Sequence, residues 1–360
     1  MTPAPGSADP PGMSYAAAGV DVEAGDRAVQ RIKDVVRRTD RPEVVGGLGG
    51  FVGLFALDTA RYRRPLLASS TDGVGTKIAV ARAMDVHDTI GIDLVGMVVD
   101  DLVVCGAEPL FMQDYIACGT VVPERIEALV TGIAEGCVRA GCALVGGEIA
   151  EHADLLGADE YDLAGTGVGV VEADRLLGPE RVRAGDVLVA MGSSGLHSNG
   201  YVLARRVLLR DGGLSLSAIP IGLTRRLGAE LLEPTRIYAK DCLALAADVG
   251  VRAFSHVTGG GLAANLARVL SPGLGAVVDR STWSPQPIFG LISGLGRVAT
   301  ADMERTFNMG VGMVAVVDAE RADAAVRLLA DRGVPAWPAG TVGSVDAGAP
   351  DPVRLVNEHP

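Results

Sequence analysis

The chain has 360 residues, 48% of them hydrophobic but only 4% aromatic, with 48 glycines and a formal net charge of −12. That length supports two domains with substantial cores, and the glycine-rich, aromatic-poor mix suits tight α/β packing. The acidic balance excludes a backbone-wide grip on nucleic acid, which needs clustered Lys and Arg, but it leaves room for a local phosphate site. No apolar run is long enough to span a bilayer, and the start MTPAPGSADPPG lacks the features of a signal peptide. A cytoplasmic protein without a membrane partner is expected. The five cysteines (Cys105, Cys118, Cys137, Cys142 and Cys242) form no CxxC pair, in keeping with a reducing compartment.

In chain order, residues 1–12 are rich in Pro, Gly and Ala and read as a disordered extension. RAVQRIKDVVRR (27–38) reads as a basic helix. GGLGGF (46–51) matches neither the dinucleotide fingerprint nor the P-loop, and by itself reads equally as a lid over phosphates or a flexible connector. RPLLASSTDG (64–73) predicts a short buried strand entering a glycine turn, TIGIDLVGMVVDDLVV (89–104) a mostly buried helix, VPERIEALVTGIAEGCVRAG (122–141) a second helix, and CALVGGE (142–148) another strand. Charged and turn residues between Glu172 and Gly185 then precede a fresh apolar strand, Val187 to Met191. This divides the chain into an N-terminal domain, 13–172, a C-terminal domain, 173–345, and a loose tail, 346–360.

Four stretches share one format, an apolar strand that ends in glycines beside a polar or acidic side chain: SSTDGVGTK (69–77), LVGGEIAE (144–151), MGSSGLHSNG (191–200) and HVTGGGLAAN (256–265). Glycine lets backbone N–H groups approach a ligand closely, so phosphate cradles are often built this way. Gly73, Gly75, Thr76 and Lys77 are phosphate-binding candidates on this ground, and Gly259 and Gly260 are substrate-binding ones. On the predicted helix 89–104, a turn of about 100° per residue puts Asp93 and Asp100 almost in line, with Asp101 roughly 80° around the same side. Buried carboxylates need cations, backbone donors or a metal, and Mg²⁺ holding nucleotide phosphates fits hard oxygen ligands.

Read together, SYAAAGVDVEAGDRAVQRIK, RPEVVGGLGGF, STDGVGTK, HDTIGIDLVGMVVDDLVVCGAEPLF, GSSGLHSNGY, EPTRIYAKD, HVTGGGL and TFNMGVGM resemble, in this order, the phosphoribosylformylglycinamidine cyclo-ligases, or AIR synthetases, of purine biosynthesis. Asp101 to Pro109 also fits the Asp-x4-Gly-Ala-x-Pro signature of a wider ATP-binding superfamily that includes selenophosphate synthetase and thiamine monophosphate kinase. The resemblance implies an α/β (α+β) two-domain AIR synthetase-like fold. Its N-terminal domain would share a β-barrel with a twin in a homodimer, and its C-terminal domain would be α/β. It also implies a reaction in which MgATP converts formylglycinamidine ribonucleotide into 5-aminoimidazole ribonucleotide, ADP and phosphate. Phosphorylating the amide oxygen gives an iminophosphate, from which phosphate departs as the amidine nitrogen closes the ring.

By the same resemblance Asp72, Asp101 and Glu148 would hold Mg²⁺, and a monovalent cation is a further cofactor to consider. Lys33 and the loop glycines Gly46, Gly47, Gly49 and Gly50 would bind the nucleotide. His197 would stabilise the transferring phosphoryl group or shuttle a proton, with Ser198 and Asn199 on the substrate. Departures are Ile149 where the family has Thr, Ala153-Asp154 where it has Pro-Gly, and Val202 where Ser is usual; many relatives carry Asn where Asp100 stands. They motivate two alternatives, a diverged paralogue acting on a related amide and a non-catalytic nucleotide-binding protein.

Overall fold

The computed structural model describes residues 14–15, 19–47, 49–346 and 351–360. The extension 1–12 and Leu48 of the glycine loop lie outside the described residues. Helix α1 (Val22–Arg37) is amphipathic: Ala24, Ala28, Ile32 and Val36, spaced at four, form its buried stripe. It opens on Asp21, whose carboxylate accepts the Ala24 N–H. A hairpin of β1 (Val44–Val45) and β2 (Leu54–Phe55) follows, and the glycine loop is the connection between its strands.

The N-terminal sheet is built from β3 (Pro65–Gly73), β4 (Glu108–Cys118), β5 (Ala143–Glu151) and β6 (Tyr161–Glu172), in the order β3-β6-β4-β5. Only the β4–β5 pair is parallel. Helix α2 (Ile78–Met84) follows β3, and helices α3 (Ile90–Val103) and α4 (Pro123–Ala140) pack on one another beside the sheet. Leu67, Ser69 and Thr71 of β3 and Gln113 and Tyr115 of β4 are exposed, and Leu67 is 68% accessible, so this sheet leaves apolar area open.

Glycines set how closely α3 and α4 meet. A Cβ at Gly132 would sit 2.3 Å from the Asp88 carbonyl oxygen, and one at Gly91 would sit 2.2 Å from the Ile133 nitrogen. Both neighbours are backbone and cannot rotate aside.

The C-terminal sheet has six strands in the order β12-β9-β11-β7-β10-β8. They are β7 (Val187–Gly192), β8 (Ala253–His256), β9 (Leu274–Asp279), β10 (Val311–Val317), β11 (Ala336–Ser344) and β12 (Val353–Val356). Every residue of β10 is buried, as expected of an inner strand covered on both faces. β6 ends at Glu172 and β7 begins at Val187, with short 3₁₀ turns between them. The tail read as loose is not so over 353–356: β12 pairs in parallel with β9, and His359 Nδ1 lies 3.0 Å from the Arg280 carbonyl. Its alternation, Val353 and Leu355, is too short to stand out from the proline-rich segment before it. Among the described residues no helix is long and apolar enough to cross a membrane.

The α3–α4 contact generates the first prediction. Gly132→Val should destabilise the protein by about 3 kcal/mol through overpacking against backbone, read as a lowered urea midpoint. An unchanged midpoint would mean that the two helices can separate freely.

Candidate active site

Every residue of α3 is buried except Asp101. The helix therefore places Asp93 and Asp100 on one stripe inside the protein, and the C-terminal domain meets them with backbone donors. Asp93 Oδ1 accepts Lys77 Nζ at 2.8 Å, the Thr235 N–H at 2.8 Å and the Thr235 hydroxyl at 2.6 Å. Both oxygens of Asp100 accept the Tyr238 N–H, at 2.9 and 3.1 Å. Burial raises the Asp93 carboxyl and lowers the Lys77 ammonium, while their contact opposes both shifts and holds them as an ion pair. Asp100, which no cation touches among the described residues, is pushed up to about 7 by burial.

One step around the helix, Asp101 turns to a second histidine. His256, at the end of β8, donates from Nδ1 to Asp101 Oδ1 at 2.9 Å. Burial works against the His256 cation, but the hydrogen bond to Asp101 and the charges of Asp100, Asp101 and Asp72 outweigh it and raise its pKa. Asp72, at the end of β3, accepts the Gly73 N–H at 2.7 Å; burial and the neighbouring Asp101 raise its carboxyl.

The loop after β7 supplies the other wall. His197 is buried and left-handed, with φ +60°. The Ser194 N–H donates to its Nε2 at 3.2 Å, which puts the proton of the neutral ring on Nδ1. Nδ1 has no partner among the described residues. Burial, with His256 and Lys77 nearby, drives the His197 pKa well down and keeps the ring neutral. Ser198 Oγ lies 3.3 Å from Thr235 Oγ1, and a Cβ at Gly259 would lie 3.4 Å from Asn199 Oδ1, so these substrate candidates share one seam. Gly260, with φ +94°, lies beside them at the start of the Gly261–Ala267 helix. Gly312 of β10 closes the loop's back: a Cβ there would overlap Tyr238 Oη at 2.1 Å and His197 Cε1 at 2.5 Å.

A separate cleft of 470 Å³ lies within the N-terminal domain, lined by Gly47, Gly49, Gly50, Asp114, Gly147 and Glu148 among others. Burial pushes Asp114 up to about 7. Asp72, Gly165, Asp114 and Gly147 form one row across the sheet, so Asp72 and Glu148 sit on opposite edge strands. Three strand spacings separate those edges by about 14 Å, which is too far for both carboxylates of one chain to bind one ion. The Asp72, Asp101 and Glu148 set is corrected accordingly. Among the described residues no three potential ligands are gathered around one point. Asp72 and Asp101 alone fit Mg²⁺, which takes one or two carboxylates and completes its shell with water and phosphates.

Three further candidates fall elsewhere. Lys33 is on α1, bonded to Gln30 Oε1 at 3.0 Å, and does not line the cleft; Gly46 does not line it either. Lys77 is fully buried and gives its donors to Asp93, the His197 carbonyl at 3.1 Å and the Glu233 carbonyl at 2.6 Å, leaving none for a phosphate. Gly73, Gly75 and Thr76 remain partly or fully exposed at the turn before it. Sequence reasoning missed His256, Thr235, Tyr238 and Asp114. For His256 and Asp114 the signal was present, a titratable residue inside an apolar strand; for Thr235 and Tyr238 it was only the resemblance of EPTRIYAKD.

Two strand-ended glycine loops meet acids across the seam between the two sheets, in a chain of the AIR synthase related class. Its family models match here, "AIR synthase related protein, N-terminal domain" over residues 58–171 and "AIR synthase related protein, C-terminal domain" over 183–350. A phosphoribosylformylglycinamidine cyclo-ligase from Brevibacillus brevis is 50% identical over 335 residues, 93% of this chain and 96% of that protein. Those from Myxococcus xanthus (51% over 346 residues, 96% and 99%) and Anaeromyxobacter dehalogenans (53% over 338 residues, 94% and 97%) are similar. The chain belongs to the phosphoribosylformylglycinamidine cyclo-ligase family. Among solved structures, thiamine-monophosphate kinase from Stenotrophomonas maltophilia shares the fold at TM-score 0.65 and 21% identity, covering 91% of this chain and 96% of that one. Hydrogenase maturation protein HypE in complex with ATP does so at 0.64 and 22%, covering 91% and 90%.

Asp100 carries a pH prediction. Its folded pKa lies above the ordinary 3.8, so the folded state binds the extra proton and stability from this group falls as pH rises from about 4 to about 7. Asp100→Asn keeps an oxygen for the Tyr238 N–H and removes that loss. Relative to the wild type, it should gain stability at pH 8 by at most about 4 kcal/mol and gain little at pH 4, read from urea unfolding at both pH values. Equal gains at both would show that Asp100 does not titrate in this window.

Proposed function

We propose that this chain catalyses the ATP-dependent cyclisation of formylglycinamidine ribonucleotide to 5-aminoimidazole ribonucleotide, releasing ADP and phosphate in purine biosynthesis. The observation that carries the reading is the match to cyclo-ligases at 50–53% identity along nearly the whole chain, together with the seam that gathers Asp72, Asp101, His197 and His256.

In this reading the substrate amide oxygen attacks the γ-phosphorus and ADP leaves; the amidine nitrogen then attacks the activated carbon and phosphate leaves. Mg²⁺, when bound, offsets charge on the phosphates, and Asp72 and Asp101 are the residues to hold it. His256 fixes one oxygen of Asp101 and leaves the other free. Neutral His197 offers its Nδ1–H to a phosphoryl oxygen without adding a charge, and the exposed glycines Gly259 and Gly260, with Ser198 and Asn199, serve the ribonucleotide phosphate. The cleft beside Gly47, Gly49 and Gly50 suits the nucleotide. A homodimer through the open face of the N-terminal sheet, where Leu67 and Tyr115 are exposed, and a cytoplasmic site of action complete the proposal.

The reading of a diverged paralogue rests on Ile149 and the Ala153-Asp154 loop. Ile149 lines the N-terminal cleft, not the seam of His197 and Asn199, so the change touches the nucleotide side.

The test is ATP- and Mg²⁺-dependent formation of aminoimidazole ribonucleotide by the purified chain. No turnover by a folded, ATP-binding protein would overturn the proposal, and restoration by Ile149→Thr would assign the divergence to that residue. Asp101→Asn, which still accepts from His256, should lower kcat by about 100-fold or more with the fold intact. Undiminished turnover would remove Asp101 from the site.

A further inference from the structure

The buried ammonium of Lys77 joins the two domains at one point. Its side chain is wholly enclosed, and its three N–H groups meet Asp93 Oδ1 at 2.8 Å within its own domain and the His197 and Glu233 carbonyls, at 3.1 and 2.6 Å, in the other. The Tyr201 ring closes the remaining side, 5.6 Å from Nζ. An ammonium has three donors, and all three are placed.

One of these partners is unusual. His197 adopts a left-handed φ of +60°, a conformation uncommon for a non-glycine residue. The contacts that fix it are the Ser194 N–H on its ring and Lys77 on its carbonyl. Lys77 lies five residues after Asp72 on the same turn, so the segment bearing one half of the seam holds the peptide that aims the other half.

We propose that Lys77 is a positioning residue: through the His197 carbonyl it ties the segment bearing Asp72 to the left-handed conformation of His197 and so holds that loop for the substrate, and it makes no contact with ATP. The kinetic arm rests on the cyclo-ligase reading above; the structural arm does not.

Lys77→Met alone leaves the Asp93 charge buried and unpaired, so folding itself is at stake. The companion double variant Lys77→Met/Asp93→Asn removes both charges and keeps an oxygen for the Thr235 donors. In the double variant, affinity for a non-hydrolysable ATP analogue should stay within about 3-fold of the wild type, while kcat falls by about 100-fold, the scale of a misplaced catalytic group. Amide hydrogen exchange over residues 194–199 should accelerate at least about 10-fold, with the sheet strands unchanged. A loss of ATP affinity by 10-fold or more with kcat retained at saturating ATP would make Lys77 a nucleotide ligand and overturn the proposal. Wild-type kcat together with unchanged exchange over 194–199 would overturn it too, leaving only a structural ion pair. If the wild type makes no aminoimidazole ribonucleotide, the cyclo-ligase reading fails on its own, and exchange with ATP affinity still decides the role of Lys77.

Discussion

The cost of keeping two carboxylates inside an apolar helix governs how the halves of this protein meet. A charged carboxylate withdrawn from water costs several kcal/mol unless donors replace the water. Helix α3 buries Asp93 and Asp100 with hardly any donors of its own domain in reach, Lys77 excepted. The segment 233–238 answers with the Thr235 and Tyr238 N–H groups, three residues apart, against acids two helical turns apart. Sliding the C-terminal domain along α3 would strand both acids at once. These hydrogen bonds fix the register of the seam, because the apolar core that runs across it is non-directional and would by itself tolerate slippage.

That constraint determines what lies beside it. With Asp93 and Asp100 committed to the seam, Asp101 is the acid of α3 that remains accessible, and His256 holds it from the C-terminal sheet. Asp72 comes to the same place because β3 runs alongside α3. The other acids of interest, Asp114 and Glu148, belong to strands on the far side of the sheet and to the cleft under the glycine loop. The two acid groups therefore lie apart across the sheet, one beside the glycine loop and one beside the histidines.

Much of this was legible in the sequence. The strand-to-glycine format located the turns at 73–76 and 259–260, and the 3.6-residue period put Asp93 and Asp100 on one face. Periodicity gave no view of what faces a helix from 140 residues away, so the reading of Asp93 and Asp100 stopped at needing a partner. Thr235 and Tyr238 meet the acids through backbone N–H groups, which every residue type has, and Thr235 adds its hydroxyl; EPTRIYAKD marked the segment by resemblance without showing what it faces. Lys77 was misplaced for a related reason: lysine after a glycine turn ordinarily reads as a phosphate ligand, and only the three-dimensional count of its donors excludes that. Glu148 was grouped with Asp72 through the family resemblance; strand order, not spacing along the chain, decides that they are apart.

The electrostatics of the seam bear on what His197 can do. Burial disfavours its cation, and His256 and Lys77 nearby disfavour it further, so the ring stays neutral across the physiological range. A neutral imidazole cannot pair with phosphate as a cation does, but it can donate one directed hydrogen bond. The Ser194 N–H fixes which nitrogen carries that proton. His256, whose pKa the hydrogen bond to Asp101 holds raised, is the ring of the seam that favours a charge, so donor and favoured charge reside on different rings. Separating them lets the seam stabilise developing negative charge through orientation, because the Ser194 N–H and the close approach of Gly312 hold the His197 ring in one direction. A loop free to relax from φ +60° would lose that direction while keeping every side chain, which is why the backbone contacts to the His197 carbonyl and ring matter as much as the imidazole itself.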